Sequence, residues 1–99
     1  MEASAVGKPA LVLRSEVVRA ARALLRWEQR DLANASSVSL ATIKRLESAP
    51  GVMAAHMSTV TALRAALEAA GIEFIDENGG GAGVRLRKQQ SKRGRGPLD

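Results

Sequence analysis

Two cations stand side by side in SLATIKRLE, residues 39–47, among small, hydroxyl-bearing and a few bulky apolar residues. If the segment is helical and turns Ile43 and Leu46 inward, its outer face carries Leu40, Ala41, Lys44, Arg45 and Ser48. Small residues let a helix approach a duplex edge closely. Lys44 and Arg45 supply reach to phosphates or guanine edges, and Leu40 and Ala41 offer only apolar contact, best matched by thymine methyls. Other chemistry is poorly provided for. The chain has no cysteine and one histidine, His56, so disulfide frameworks and thiolate or imidazole metal sites are excluded. No carboxylate pair or phosphate loop occurs at a diagnostic spacing, and the glycines of ENGGGAG are followed by neither GK[ST] nor a helix start. We therefore expect a binding protein, not an enzyme, with no metal and no cofactor.

The elements that must position this face can be read from periodicity. Ser15 is a candidate cap for a first helix over 16–26, with apolar residues recurring at Val17, Ala20, Ala21 and Leu24 and again at Val18, Ala21 and Leu25. Arg19, Arg22 and Arg26 line its other side, a pattern that ordinarily marks a solvated face. A short second helix fits 29–36, and Ser36 and Ser37 interrupt it. Ser39 caps a third helix over 40–48, with Val38 placed to pack beneath it, and Pro50 and Gly51 stop it. GVMAAHM is a loop whose methionines fill gaps in the core. A fourth helix starts at Ser58 and ends at Gly71, burying Val60, Leu63, Ala66, Leu67 and Ala70. The β-type runs IEFID (72–76) and VRLRK (84–88) form a hairpin across the glycine-rich loop.

At 99 residues the chain is one domain, long enough for a small core but short for an enzyme cleft with its scaffold. Its net charge of +5 is unevenly distributed. Residues 1–83 hold nine Lys and Arg against nine Asp and Glu, whereas 84–99 hold six against Asp99 alone. A basic end suits a polyanion, although such ends are commonly just solvated. Two aromatic residues, Trp27 and Phe74, give no platform for stacking unpaired bases, which argues against single-strand or RNA recognition. No stretch approaches the ~18 apolar residues of a membrane span. We expect a flexible arm over 1–14, a helical domain over 15–71, a hairpin over 72–88 and a disordered basic tail over 89–99.

A short helix, a tight turn and a second short helix can pack only if a small residue lies where they cross and apolar residues anchor both. Ala33 meets the first need; Leu32, Val38, Ile43 and Leu46 meet the second. At QRDLANASSVSLATIKRLE, residues 29–47, the sequence resembles the Cro and phage-repressor (Xre-type) class of helix-turn-helix regulators, and more loosely over 15–88. The resemblance implies a mainly α fold, a four- to five-helix Cro/repressor-like bundle ending here in a β-hairpin, with a recognition helix for the major groove. It also implies roles for individual residues. Gln29 matches a glutamine that contacts a phosphate and braces a recognition side chain, and Ser39 matches the recognition-helix cap. Leu40, Ala41 and Arg45 match base-reading positions; Arg30, Thr42, Lys44 and Ser48 complete the candidate DNA-binding set. Arg22 and Glu47 match a partly buried ion pair tying the first helix to the third. Three positions depart from the pattern: Ser37 stands at the turn where the class favours glycine, Arg26 does so at the end of the first helix, and Glu28 replaces a serine cap.

The implied function is that of a cytoplasmic, nucleoid-associated transcription regulator. It would be a homodimer repressing by occlusion, bound to double-stranded DNA at an inverted repeat, with no membrane association. A two-stranded hairpin is marginal alone, so Ile72, Phe74, Ile75, Val84 and Leu86 must pack on the helices or on another subunit, and we expect dimerisation through this hairpin and the fourth helix. The alternative is a protein-interaction module, an antitoxin or anti-activator, built on the same fold and acting on a protein partner that the residues do not specify.

Overall fold

A computed structural model describes residues 12–88; the expected tail and residues 1–11 of the expected arm lie outside them. Four helices precede an antiparallel hairpin: α1 (Ser15–Leu25), α2 (Gln29–Ser36), α3 (Leu40–Ser48), α4 (Met57–Ala69), β1 (Ile72–Ile75) and β2 (Gly83–Leu86). The strands pair Ile72 with Leu86, Glu73 with Arg85, Phe74 with Val84 and Ile75 with Gly83. No helix of the described residues is long and apolar enough to cross a membrane.

One core joins all these elements. Val18 and Ala21 of α1, Leu32 of α2, Ile43 and Leu46 of α3, Val60, Leu63 and Leu67 of α4, and Ile72 of β1 are buried together. Ala33 and Val38 pack against this cluster as partly buried residues. Of the two apolar series in α1, only Val18–Ala21–Leu25 faces inward. Val17 is half-buried, Ala20 is exposed and Leu24 is 41% exposed, because an 11-residue helix seated on one core can bury a single stripe.

Two helix starts differ from expectation. Ser15 is the first residue of α1, not its cap; Arg14 holds the cap position in an extended conformation. Residues 13–15 are drawn into pairing with the segment after α3: Arg14 bridges Val52, the Met53 N–H donates to Leu13 O (2.8 Å), and the Ser15 N–H donates to Gly51 O (2.9 Å). Leu13 is consequently core, only 2% exposed, although it falls within the expected arm. Similarly, α4 begins at Met57 after His56, one residue before the expected start at Ser58. His56 O accepts the Thr59 and Val60 N–H groups, so the backbone turn forms without a side-chain cap.

The helix ends show how the chain manages without glycine. Arg26 (φ 59°) and Ser37 (φ 64°) both adopt the left-handed conformation, the only described non-glycine residues to do so. At Arg26 the chain closes a Schellman-type turn, with the Trp27 N–H donating to Arg22 O at 2.8 Å and the Arg26 N–H to Ala23 O at 3.1 Å. At Ser37 the N–H donates to Ala33 O (2.9 Å). Its neighbour Ser36 donates its hydroxyl to Leu32 O (2.7 Å) and accepts the Val38 N–H (3.1 Å). Glu28, in place of the serine cap, is served by Asp31, whose carboxylate accepts the Glu28 N–H at 2.8 Å.

Relieving the left-handed conformation at one residue should help: Ser37→Gly and Arg26→Gly are each expected to raise the unfolding free energy by about 1 kcal/mol, seen as higher urea midpoints. A pH effect follows from Glu16. Both its carboxylate oxygens accept the Gly51 N–H (3.3 and 3.1 Å). Its own backbone amide first, then Gly51, hold its carboxyl below the usual glutamate range. A depressed folded value means that the contribution is intact above the ordinary glutamate pKa and fades as pH falls through that range and below. Urea midpoints measured from neutral pH downward should therefore fall less steeply for Glu16→Gln than for the parent chain.

Candidate nucleic-acid interface

The α2–turn–α3 unit is held to α1 by one buried carboxylate. Glu47, near the end of α3, has a side chain only 2% exposed, and Arg22 of α1 is 16% exposed opposite it. Arg22 grips it side-on, donating from Nε to Oε2 at 2.9 Å and from Nη2 to Oε1 at 2.7 Å. Gln29, the first residue of α2, adds a third bond from Nε2 to Oε1 at 3.0 Å. The remaining Arg22 nitrogen, Nη1, donates to Trp27 O (3.0 Å), which ties in the α1–α2 connection. A single carboxylate thus fixes three helices relative to one another, and charge-assisted bonds compensate its burial.

Arg19, read from its spacing only as part of a solvated stripe, stays exposed but donates its Nη1 to Glu47 O at 2.9 Å. Arg22 and Arg19 thus both reach α3, Arg19 while remaining exposed, and Arg26, also exposed, ends α1. The spacing of Arg19 and Arg22 places both on one side of the helix, but nothing local to it says that α3 lies there.

The N-terminus of α3 is set by Ser39, whose Oγ accepts the Thr42 N–H (3.1 Å) and donates to Thr42 Oγ1 (2.9 Å). With Ile43, Leu46 and Glu47 turned inward, Ala41, Lys44, Arg45 and Ser48 are exposed, and Leu40 and Thr42 are half-buried at the margins. Ser48 donates its hydroxyl back to Arg45 O (2.7 Å), so that proton is already engaged. Arg30 is exposed on α2 and Gln29 half-buried. Arg30, Lys44 and Arg45 form no ion pair among the described residues, whose pairs are Arg14–Glu16, Arg22–Glu47, Arg64–Glu68 and Arg85–Glu73.

α3 stands between two open clefts. On one side a space of about 440 Å³ is lined by Arg22, Trp27, Glu28, Gln29, Arg30, Leu40 and Lys44. On the other a space of about 360 Å³ is lined by Thr42, Arg45, Ala55, His56 and Thr59 among others. The helix is thus a ridge with a cation on each flank, Lys44 toward α2 and Arg45 toward the start of α4. His56 and Thr59 join this surface only through the fold, since neither lies in a motif that would single it out. Such a ridge can present uncompensated positive charge and small side chains to a polyanion of complementary shape.

The hairpin residues divide between interior and surface. Ile72 is fully buried, and Phe74 and Val84 pack against the same core, so all three serve the chain's own interior. Ile75 and Leu86 remain 40% and 49% exposed. Arg64 of α4 lies 4.4 Å from the Phe74 ring centroid and pairs with Glu68 at 3.2 Å, fastening β1 to α4.

No protein-family model matches the sequence, and no curated protein is significantly similar to it.

Replacing Glu47 with Ala should strand Arg22 in a largely buried position and destabilise the chain by about 3 kcal/mol, as measured by urea unfolding. The double variant Arg22→Met, Glu47→Leu removes both charges together and is expected to recover most of that loss. Equal destabilisation of the two variants would show that the pair is needed for more than neutralisation.

Proposed function

We propose that this protein is a short Xre-type helix-turn-helix regulator of the Cro and phage-repressor class, which binds double-stranded DNA sequence-specifically through α3. The observation that carries this reading is the exposed Lys44 and Arg45, without an ion-pair partner among the described residues, on a helix braced from behind by Glu47 and its donors. A rigidly held cationic ridge suits major-groove recognition, since a contact to a base edge discriminates only if its side chain starts from a fixed frame. Ser39, Thr42 and Arg30 border the ridge within reach of a phosphate backbone, and Gln29 bridges that border to Glu47.

In this reading Arg45, with Lys44 as its neighbour, hydrogen-bonds base edges, while Leu40 and Ala41 make apolar contact with thymine methyls. Two copies bind an inverted repeat with their α3 helices ~34 Å apart, one duplex turn. Occupancy of such a site by a small domain represses by excluding other proteins from the same DNA.

Selecting bound fragments from a random duplex pool tests this: a palindromic consensus is expected to be enriched. On that consensus Arg45→Ala should lose ~1 to 3 kcal/mol, with little change on scrambled duplex. Arg30→Ala should weaken both duplexes alike and flatten the salt dependence. A pool that yields no consensus, or an Arg45→Ala variant that weakens cognate and scrambled duplexes equally, would refute sequence reading by α3.

A further inference from the structure

A cleft between α1, α4 and the hairpin takes no part in the proposed DNA site, and no residue of α3 lines it. Its volume is about 450 Å³, within the roughly 300–1,000 Å³ of small-molecule sites. Val12, Leu13, Val17, Phe74 and Ile75 form its apolar walls. The pairing of residues 13–15 with 51–53 sets the first two there, beside α1. Apolar surface that the core leaves uncovered thus converges on one cavity. Val12 and Ile75 are 50% and 40% exposed and Val17 is half-buried, yet all three line the same space.

One charge is sheltered among these walls. Arg64, whose side chain is 18% exposed, lines the cleft, stacks over the Phe74 ring and donates from Nε to Glu68 Oε2 at 3.2 Å. The stacking and that bond fix the plane of the guanidinium. Its terminal nitrogens, Nη1 and Nη2, make no hydrogen bond to the described residues. A guanidinium held by its Nε with its terminal nitrogens free is ready to donate to a carboxylate. The other charges on the lining are less sheltered. Asp76 and Glu77 are exposed, and Arg14, with 43% of its side chain exposed, pairs with Glu16 at 4.0 Å. Solvent and salt screen these groups more than Arg64.

We propose that this cleft binds a small monocarboxylate with an apolar body, its carboxylate on the terminal nitrogens of Arg64 and its hydrocarbon between Val12, Val17 and Ile75. Each feature of the cleft selects one part of that ligand. The apolar walls reward hydrocarbon, which an inorganic anion lacks. The sheltered cation rewards one negative charge and repels an amine, since a charge removed from water acts more strongly than an exposed one. Asp76 and Glu77 then oppose a second negative charge, as on a phosphate dianion. The bound carboxylate shares Arg64 with Glu68, so the two compete for one cation. Nothing in this site depends on α3, and it stands whether or not α3 reads DNA.

Octanoate is the probe, titrated into the full chain labelled with nitrogen-15 and followed by amide chemical shifts. Saturable binding is expected, moving the amides of Leu13, Val17, Phe74 and Gly83 more than those of α3. Octanamide and octylamine carry the same hydrocarbon on a different head group and should bind about tenfold more weakly or worse, the worth of charge-assisted hydrogen bonds. Inorganic phosphate should not compete. Arg64→Gln should lose about tenfold in octanoate affinity with an unchanged helical spectrum. Because Arg64 also fastens β1 to α4, a second variant leaves it in place: Ala82→Trp, at an exposed position on the lining, should fill the cleft and abolish binding. Glu68→Gln, which removes the competing carboxylate, should bind octanoate more tightly, an effect that a purely structural role for Arg64 would not produce. Equal affinity for octanoate, octanamide and octylamine would overturn the proposal, as would binding that does not saturate or that survives undiminished in Arg64→Gln or Ala82→Trp. Nuclear Overhauser contacts from residues 1–11 to Phe74 in the ligand-free chain would also overturn it, the cleft then being filled by the chain itself.

Discussion

The buried carboxylate of Glu47 is the constraint on which the arrangement of the first three helices depends. An ionised group with a side chain 2% exposed is tolerable only with its lone pairs occupied, and Arg22 and Gln29 occupy them with three bonds of 2.7–3.0 Å. These donors come from different helices, so the electrostatic requirement becomes a geometric one: α1, α2 and α3 must meet at a single point. An apolar contact at the same place would tolerate sliding by a fraction of an ångström. A fork of charge-assisted hydrogen bonds does not, because its bonds weaken steeply with misalignment. The stabilisation from such a pair is modest, and its larger contribution is to specify one packing over its neighbours.

That fixed packing gives α3 its character. A nine-residue helix is too short to persist by intrinsic propensity, and this one is held by a Ser39 cap at one end, Glu47 near the other, and Ile43 and Leu46 between. All its anchors lie on one side, so the opposite side is free to carry residues chosen for something other than stability. Lys44 and Arg45 occupy it without an ion-pair partner among the described residues, flanked by a cleft on each side. The same division recurs on a smaller scale in the hairpin. Ile72 and Phe74 fasten β1 to the core and to Arg64, which leaves β2 with its outward backbone groups and Leu86 at the surface.

The left-handed Arg26 and Ser37 mark where the fold departs from the easiest local chemistry. Both are helix-terminating positions at which glycine would be less strained, and both are held by backbone bonds to the preceding turn. Arg26 sits at the entry to the α2–α3 unit and Ser37 in the turn within it, so the strain is confined to these two corners. The core and the Glu47 network together over-determine those corners, which is how ordinary residues persist there.

Much of this could be read from residue order. The extents of α2 and α3, the Ser39 cap, the inward Leu32, Ile43 and Leu46, the outward Lys44 and Arg45 and the existence of the hairpin all follow from periodicity, capping and turn chemistry, which act within a few residues. The pairing of Arg22 with Glu47 followed from a family resemblance, and the geometry of its bonds is seen only in the fold. Tertiary structure decided what depends on distant neighbours. It drew Leu13 into the core and moved the cap of α1 from Ser15 to Arg14, because residues 13–15 pair with 51–53. It gave the exposed Arg19 a bond to the Glu47 carbonyl. It selected Val18 over Leu24 as the buried stripe of α1, and it brought His56 and Thr59 beside Arg45. The physical reason is one of range: a helix period or a cap is settled by atoms a turn away, but which of two apolar stripes is buried, and which arginine is a clamp, depends on what another element places against it.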